Sequence, residues 1–87
     1  MFSPRNYNKA RVPLTKKMTT EMQITLNGER RSFPDGTTLY GLVQALNLEP
    51  ERVAIELNRE IVRRDSWRET VVEGGAEIEV VMFVGGG

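Results

Sequence analysis

The residues best suited to carry chemistry are the three glycines that close the sequence, Gly85, Gly86 and Gly87. Glycine has no Cβ, so such a segment is thin and adopts backbone angles that other residues avoid. It can leave a folded domain and thread a narrow tunnel in another protein. A carboxylate on Gly87 is a poor electrophile, but transfer of AMP from ATP would give it a leaving group that a sulfur nucleophile can replace. The product is a thiocarboxylate, which carries sulfur without a cysteine.

Composition removes most other kinds of reactive site. The 87 residues include no cysteine and no histidine, which excludes disulfide scaffolds, thiolate zinc sites, iron–sulfur clusters and serine–histidine relays. The body of the sequence has no glycine-rich phosphate loop, so we expect no metal and no cofactor bound by the chain itself, with ATP bound by a partner. A chain of this length has little room for a catalytic cleft, which favours a carrier or co-substrate over an enzyme.

The charges divide the sequence into two parts. Residues 1–21 carry five basic residues against Glu21, a net charge of +4, whereas residues 22–87 carry seven arginines against eleven acids, a net charge of −4. The first part has no apolar periodicity, and we expect a disordered basic extension there: a tag, the product of an upstream start codon or a natural tail. Apart from Phe2 and Tyr7 it lacks stacking aromatics, and these do not alternate with the basic cluster, so we expect no nucleic-acid partner. No apolar run approaches the roughly 20 residues of a membrane span, and a cytoplasmic protein without a membrane partner is expected.

The elements that must position the glycines start with a hairpin. Residues 22–26 alternate apolar and polar side chains, which is the period of a half-buried strand. Asn27 and Gly28 both tolerate positive φ and predict a tight turn. Residues 30–33 then form the returning strand.

A single helix follows the hairpin. Thr38 is suited to cap its first turn, and one apolar stripe runs along it at helical spacing, formed by Leu39, Leu42, Val43 and Leu46. Asn47 suits the left-handed position after the helix, and Pro50 prevents its continuation.

The second half of the sequence predicts three more strands. Residues 53–57 alternate again, Asn58 and Arg59 form a turn, and residues 60–62 make a short strand. Asp65 and Ser66 are predicted to cap a brief helical turn that holds Trp67, which we expect to pack over the sheet edge. Gly74 and Gly75 mark a turn before the last strand, in which Ile78, Val80 and Met82 alternate with Glu79, Val81 and Phe83.

This order of elements predicts an α+β fold of the β-grasp, ubiquitin-like type. One main helix covers one face of a mixed sheet of four to five strands, and the last strand lies beside the first. Residues 22–87 form this domain. Val81 and Phe83 should project from the face opposite the helix, so with Val84 they are a candidate docking patch, the alternative being ordinary packing against Ala54. Five glutamates either steer a basic partner or form a solvated face: Glu56, Glu60, Glu73, Glu77 and Glu79.

Several segments resemble the ThiS family, the sulfur carriers of thiamine biosynthesis. They are residues 22–29 (MQITLNGE), 53–58 (VAIELN), 60–62 (EIV), 64–67 (RDSW), 77–81 (EIEVV) and 83–87 (FVGGG). The resemblance covers residues 22–87. Arg59, Arg63 and Ala76 depart from the family pattern at turn or strand-edge positions, the first replacing a frequent glycine.

The resemblance implies a set of partners. An E1-like adenylyltransferase would adenylate Gly87, a sulfurtransferase or cysteine desulfurase would supply sulfur to form the thiocarboxylate, and thiazole synthase would receive that sulfur. Gly85 and Gly86 would be the threaded tail. Two alternatives stay open: a carrier of the type of the molybdopterin synthase small subunit, and a non-covalent β-grasp interaction module in which the glycines are idle.

Overall fold

The computed structural model describes residues 20–83. Their elements follow the predicted order: β1 (Glu21–Leu26), β2 (Glu29–Pro34), α1 (Leu39–Ala45), a 3-10 helix (Pro50–Arg52), β3 (Val53–Leu57), β4 (Glu60–Val62), a second 3-10 helix (Arg64–Ser66) and β5 (Glu77–Met82). The first strand begins one residue before the start that the alternation predicts. Except for Thr20 and Glu21, the expected N-terminal extension lies outside the described residues.

The five strands form one mixed sheet in the order β2-β1-β5-β3-β4. The chain's last strand therefore lies at the centre, parallel to β1 on one side and antiparallel to β3 on the other. A parallel pair requires a crossover connection, and the segment that contains α1 provides part of it. The mixed five-stranded sheet and the pairing of the last strand with the first confirm the predicted β-grasp arrangement.

The two predicted hairpin turns have positive φ angles, which all but one of their residues favour. Asn27 and Gly28 have φ of 51° and 84°, and Asn58 and Arg59 have φ of 52° and 74°. Two consecutive residues with positive φ are the mark of a type I′ hairpin turn, whose twist matches that of the flanking strands. Asn47 also has a positive φ, 61°, directly after the helix. Arg59 is the one of these residues whose side chain does not favour this conformation.

Helix α1 covers one face of the sheet. The Thr38 hydroxyl accepts a hydrogen bond from the Gly41 amide at 3.0 Å, as a helix cap should. Leu39, Leu42 and Val43 are completely buried. They pack against apolar side chains from the strands and loops: Met22, Ile24, Leu26, Phe33, Val53, Ile55, Trp67, Val72, Ala76 and Ile78. Within residues 20–83 the helices are short, and none offers an apolar stretch that could cross a lipid bilayer.

The segment around Trp67 differs from its prediction in one respect. Trp67 is buried, as expected, and its indole Nε1 donates a hydrogen bond to the Val62 carbonyl oxygen of the edge strand β4 at 2.9 Å. The prediction that Asp65 and Ser66 cap the helical turn is wrong, because the turn begins at Arg64 after Arg63 and has no side-chain cap. Asp65 instead lies 3.8 Å from the Arg63 guanidinium, so its carboxylate faces an exposed cation rather than the helix N-terminus.

Candidate functional site at the end of the last strand

Strand β5 leads toward the terminal glycines and is held unequally by its two neighbours. Five residues of β5 pair with β3, from Val53 with Met82 to Leu57 with Ile78. Only Glu77 and Ile78 pair with β1. The later part of β5 therefore lacks backbone pairing on the β1 side, where β1 turns into the hairpin.

The side chain of Asn27 supplies the missing pairing. Its backbone N–H donates to the Ile78 carbonyl oxygen at 2.8 Å, which continues the ladder of β1. Its side-chain Nδ2 then donates to the Val80 carbonyl oxygen at 3.2 Å, and its Oδ1 accepts from the Val80 N–H at 2.7 Å. The Asn27 side-chain amide therefore replaces the backbone hydrogen bonds that a further residue of β1 would make. It holds β5 two residues beyond the last residue pair between the two strands.

Asn58 makes a similar pair of bonds at the other end of β5. Its backbone N–H donates to the Glu77 carbonyl oxygen at 2.7 Å, and its Oδ1 accepts from the Glu77 N–H at 2.9 Å. The sequence pattern predicted both asparagines as turn residues, Asn27 from its tolerance of positive φ, but it did not predict these side-chain bonds. The available signal was their chemistry, since a side-chain amide carries both a donor and an acceptor.

The backbone remains fixed one residue beyond the strand. The Phe83 N–H donates to the Arg52 carbonyl oxygen at 2.8 Å, so the first 3-10 helix holds the chain where β5 ends. The other predicted site residues, Val84, Gly85, Gly86 and Gly87, lie outside the described residues. Their roles remain predictions.

An apolar surface surrounds this point. Val81 and Phe83 are 54% and 56% exposed, which agrees with the predicted outward projection, and Val81 pairs with Ala54 across β3. Met82 is equally exposed, although its alternation with Ile78 and Val80 placed it on the helix side. Met82 lies on the helix side of the sheet. It lines a groove of about 510 Å³ with Leu46 and Leu48, and this open groove leaves its side chain exposed. We call Val81, Met82 and Phe83 the β5 patch.

Acidic side chains lie next to this patch on the open face of the sheet. Glu56, Glu77 and Glu79 line a cavity of about 290 Å³ with Arg59. The Arg59 Nε lies 3.7 Å from Glu77 Oε1, and both side chains are exposed. An exposed pair of this kind contributes little stability, so the cavity keeps an excess of negative charge. Glu60 and Glu73 are exposed elsewhere.

Residues 24–87 match the model of the ThiS family. The chain belongs to the ThiS family. The match confirms the resemblance carried by the strand and turn segments.

Relatives of this ThiS family member occur in two forms. The sulfur carrier protein ThiS of Escherichia coli (strain K12) is 29% identical over 66 residues, which cover 76% of this chain and 100% of that protein. A thiazole synthase of Magnetococcus marinus is 46% identical over 66 residues, again 76% of this chain. This segment is 20% of the thiazole synthase, so the chain spans about a fifth of the length of that relative.

A solved structure confirms the ThiS fold. The crystal structure of a thiamine biosynthesis protein (ThiS) from Geobacter metallireducens superimposes with a TM-score of 0.67 at 32% identity. The superposition covers 76% of this chain and 100% of that one. Strand β5, which Asn27 and Asn58 hold through hydrogen bonds, and the exposed β5 patch therefore belong to the part of the chain that matches ThiS proteins.

Proposed function

We propose that this ThiS family member carries sulfur as a thiocarboxylate on Gly87 and donates it to thiazole synthase. The chain is then a protein co-substrate, and Gly85 and Gly86 are the segment that enters the active sites of its partners. It binds no cofactor of its own, and the activating partner binds ATP.

The observation that carries this proposal is the fixation of β5. Asn27 and Asn58 hold the strand through side-chain amides, and Arg52 holds its end at Phe83. Only Val84 separates Phe83 from the glycines. A partner that grips the folded domain then receives the chain at a defined position and direction, which lowers the entropy cost of bringing a terminal carboxylate to a reacting group.

The proposed chemistry has three steps. A carboxylate oxygen of Gly87 attacks the α-phosphorus of ATP, which forms an acyl-adenylate and releases pyrophosphate. The terminal sulfur of a protein persulfide attacks the acyl carbon and expels AMP, so a C–S bond replaces a C–O bond. A thiol then cleaves the S–S bond, which leaves the thiocarboxylate on Gly87 and a disulfide in the donor. This chain contributes no catalytic side chain to these steps.

Three partner classes follow from that chemistry. An E1-like adenylyltransferase performs the first step, and a sulfurtransferase or cysteine desulfurase provides the persulfide. Thiazole synthase as the acceptor is supported by the Magnetococcus marinus relative, in which a segment similar to this chain is part of a protein named thiazole synthase. We assign docking to Val81 and Phe83, since their exposed apolar side chains suit burial by each partner in turn. We add Val84 to this assignment from its position in the sequence.

The test is the intact mass of the protein after incubation with an E1-like adenylyltransferase, ATP and a cysteine desulfurase charged with cysteine. We expect the mass gain for exchange of one oxygen for sulfur, and no gain when ATP is omitted. Deletion of Gly86 and Gly87 should abolish the gain while the far-ultraviolet circular dichroism stays unchanged. Absence of both this gain and an AMP adduct would contradict the proposal.

The two alternatives give different results in binding experiments. A non-covalent module would bind its partner equally well after deletion of Gly86 and Gly87. A carrier of the molybdopterin type would form a stable complex with a molybdopterin synthase large subunit, which we do not expect for this chain.

A further inference from the structure

A groove on the side of the domain concentrates positive charge within a part of the chain, residues 20–83, that is acidic overall. It has a volume of about 620 Å³, and Arg63, Arg64 and Arg68 line it. Residues 20–83 contain seven arginines, no lysine and twelve acidic residues. Three of the seven arginines of this part of the chain therefore lie around one groove, against an overall excess of negative charge.

Two of these guanidinium groups are held in place by the fold. The Arg68 guanidinium lies over the ring of the half-buried Tyr40, 3.8 Å from its centroid. Stacking uses the flat face of the guanidinium and leaves the N–H groups at its edge available to acceptors. Arg64 donates from Nε to the Pro50 carbonyl oxygen at 3.1 Å, so its terminal Nη groups extend past that bond. Such preorganisation lowers the entropy cost of binding an anionic group.

The groove adjoins the root of the proposed tail. Pro50 and Glu51 form part of its lining and belong to the 3-10 helix Pro50–Arg52. The carbonyl oxygen of Arg52 in the same helix accepts the Phe83 N–H. A protein that takes hold of the chain at Phe83 must approach this helix, and with it the wall of the groove.

We infer that the groove receives carboxylate side chains from an acidic segment of the protein that accepts the tail. A planar guanidinium matches a carboxylate through paired N–H···O bonds, and complementary charges speed and orient association. That this protein is the E1-like activating enzyme rests on the proposed function. The ability of the groove to bind carboxylates does not depend on that function.

The lining favours separate carboxylates over a polyphosphate. Glu51 and Asp65 also line the groove, and they repel the concentrated charge of a polyphosphate more strongly than single carboxylates spaced along a peptide. No glycine contributes to the lining, whereas phosphate sites commonly use backbone N–H groups of glycine-rich loops.

The direct test is a nuclear magnetic resonance titration of the ¹⁵N-labelled protein with hexaglutamate. We expect saturable shifts of the amides of Glu51, Arg52 and residues 63–68. The double variant Arg63→Gln/Arg68→Gln should bind at least about fivefold more weakly, as expected for loss of exposed charge pairs. The variant Arg30→Gln/Arg31→Gln removes the same charge from β2 and should bind like the wild type.

Thermal melts and the single variant Arg63→Gln guard against a folding artefact. Arg63 is exposed, and among residues 20–83 its side chain makes only the long ion pair with Asp65, so this variant should keep its fold and still weaken binding. Equal binding by the Arg63→Gln/Arg68→Gln variant and the wild type would overturn the inference. Saturation of the groove by inorganic tripolyphosphate, with hexaglutamate leaving it unshifted, would also overturn it.

A second experiment tests whether the groove contributes to binding of the partner enzyme. With the E1-like enzyme, Arg63→Gln should raise the KM for the carrier and leave kcat unchanged, because the groove binds the partner away from the reacting atoms. An unchanged KM would remove the tail-accepting enzyme as the occupant and overturn the inference. If the wild type gains no sulfur at all, the proposed function fails, whereas the peptide titration needs no enzyme, ATP or sulfur and is judged by itself.

Discussion

Glu56 and Glu79 lie directly opposite each other on the neighbouring strands β3 and β5, and both side chains are exposed. Paired residues of an antiparallel ladder bring their Cβ atoms close together, and like charges in such a pair are unfavourable. The free domain therefore carries a repulsion two residues before Val81, where the β5 patch begins. A cationic group on a docked partner would relieve it.

We expect Glu79→Gln to stabilise the isolated domain. Removal of one of two facing charges should raise the free energy of unfolding by about 0.5 kcal/mol, with a smaller gain at high salt because ions screen exposed charges. Urea unfolding at low and high salt measures both effects. Glu79→Gln should give no gain in a Glu56→Gln background, and an equal gain in both backgrounds would exclude repulsion between these two residues as the cause.

Arg59→Gly should also stabilise the protein. Arg59 has φ of 74°, and the left-handed region costs a non-glycine residue about 1 kcal/mol. Its 3.7 Å ion pair with Glu77 is exposed, so little is lost with the side chain. After allowance for the greater freedom of glycine in the unfolded chain, we expect a gain of about 0.5 kcal/mol in urea unfolding. Arg59→Ala, which keeps the strained φ, is the control, and an equal gain from alanine would point to charge instead.

Asn27→Gly tests the side-chain clamp on β5. Glycine keeps the positive φ of the turn but loses both bonds to Val80. Since neighbouring polar groups of Val80 lose their partners, we expect destabilisation by about 1–2 kcal/mol. In the variant, the Val80 amide should exchange with deuterium faster than it does in the wild type. The increase at Val80 should exceed any increase at the Ile55 amide, which serves as the reference. Unchanged exchange at Val80 would show that the side chain does not hold the strand.

The β5 patch should matter for partners and not for folding. Phe83→Ser changes a residue that is 56% exposed, so the free energy of unfolding should stay within about 0.5 kcal/mol of the wild type. If Phe83 anchors the activating enzyme, KM should rise by about tenfold or more. Val71→Ser is a matched control, because Val71 is 53% exposed and lies by the glycine turn before β5. Equal effects of both substitutions on KM would contradict docking at the patch.

The sequence by itself determined the elements and the family. Alternation over five or six residues marks a strand, and helical spacing from Leu39 to Leu46 marks a helix, since burial of one side needs only that period. Asn27, Gly28 and Asn47 predicted positive φ, because asparagine and glycine tolerate this backbone conformation. These signals act within a few residues along the chain. The same is true of the motif that ends in the three glycines.

The tertiary structure decided which distant residues meet. Asn27 reaches Val80, 53 residues later, only because the core fixes the register of β1 against β5, and a shift of one residue would place other groups opposite its amide. The facing of Glu56 and Glu79 depends on register in the same way. Tyr40, Arg64 and Arg68 form one groove because Trp67 packs in the core and brings its segment against α1. Contacts of this kind follow from packing across the whole domain, which no local pattern encodes.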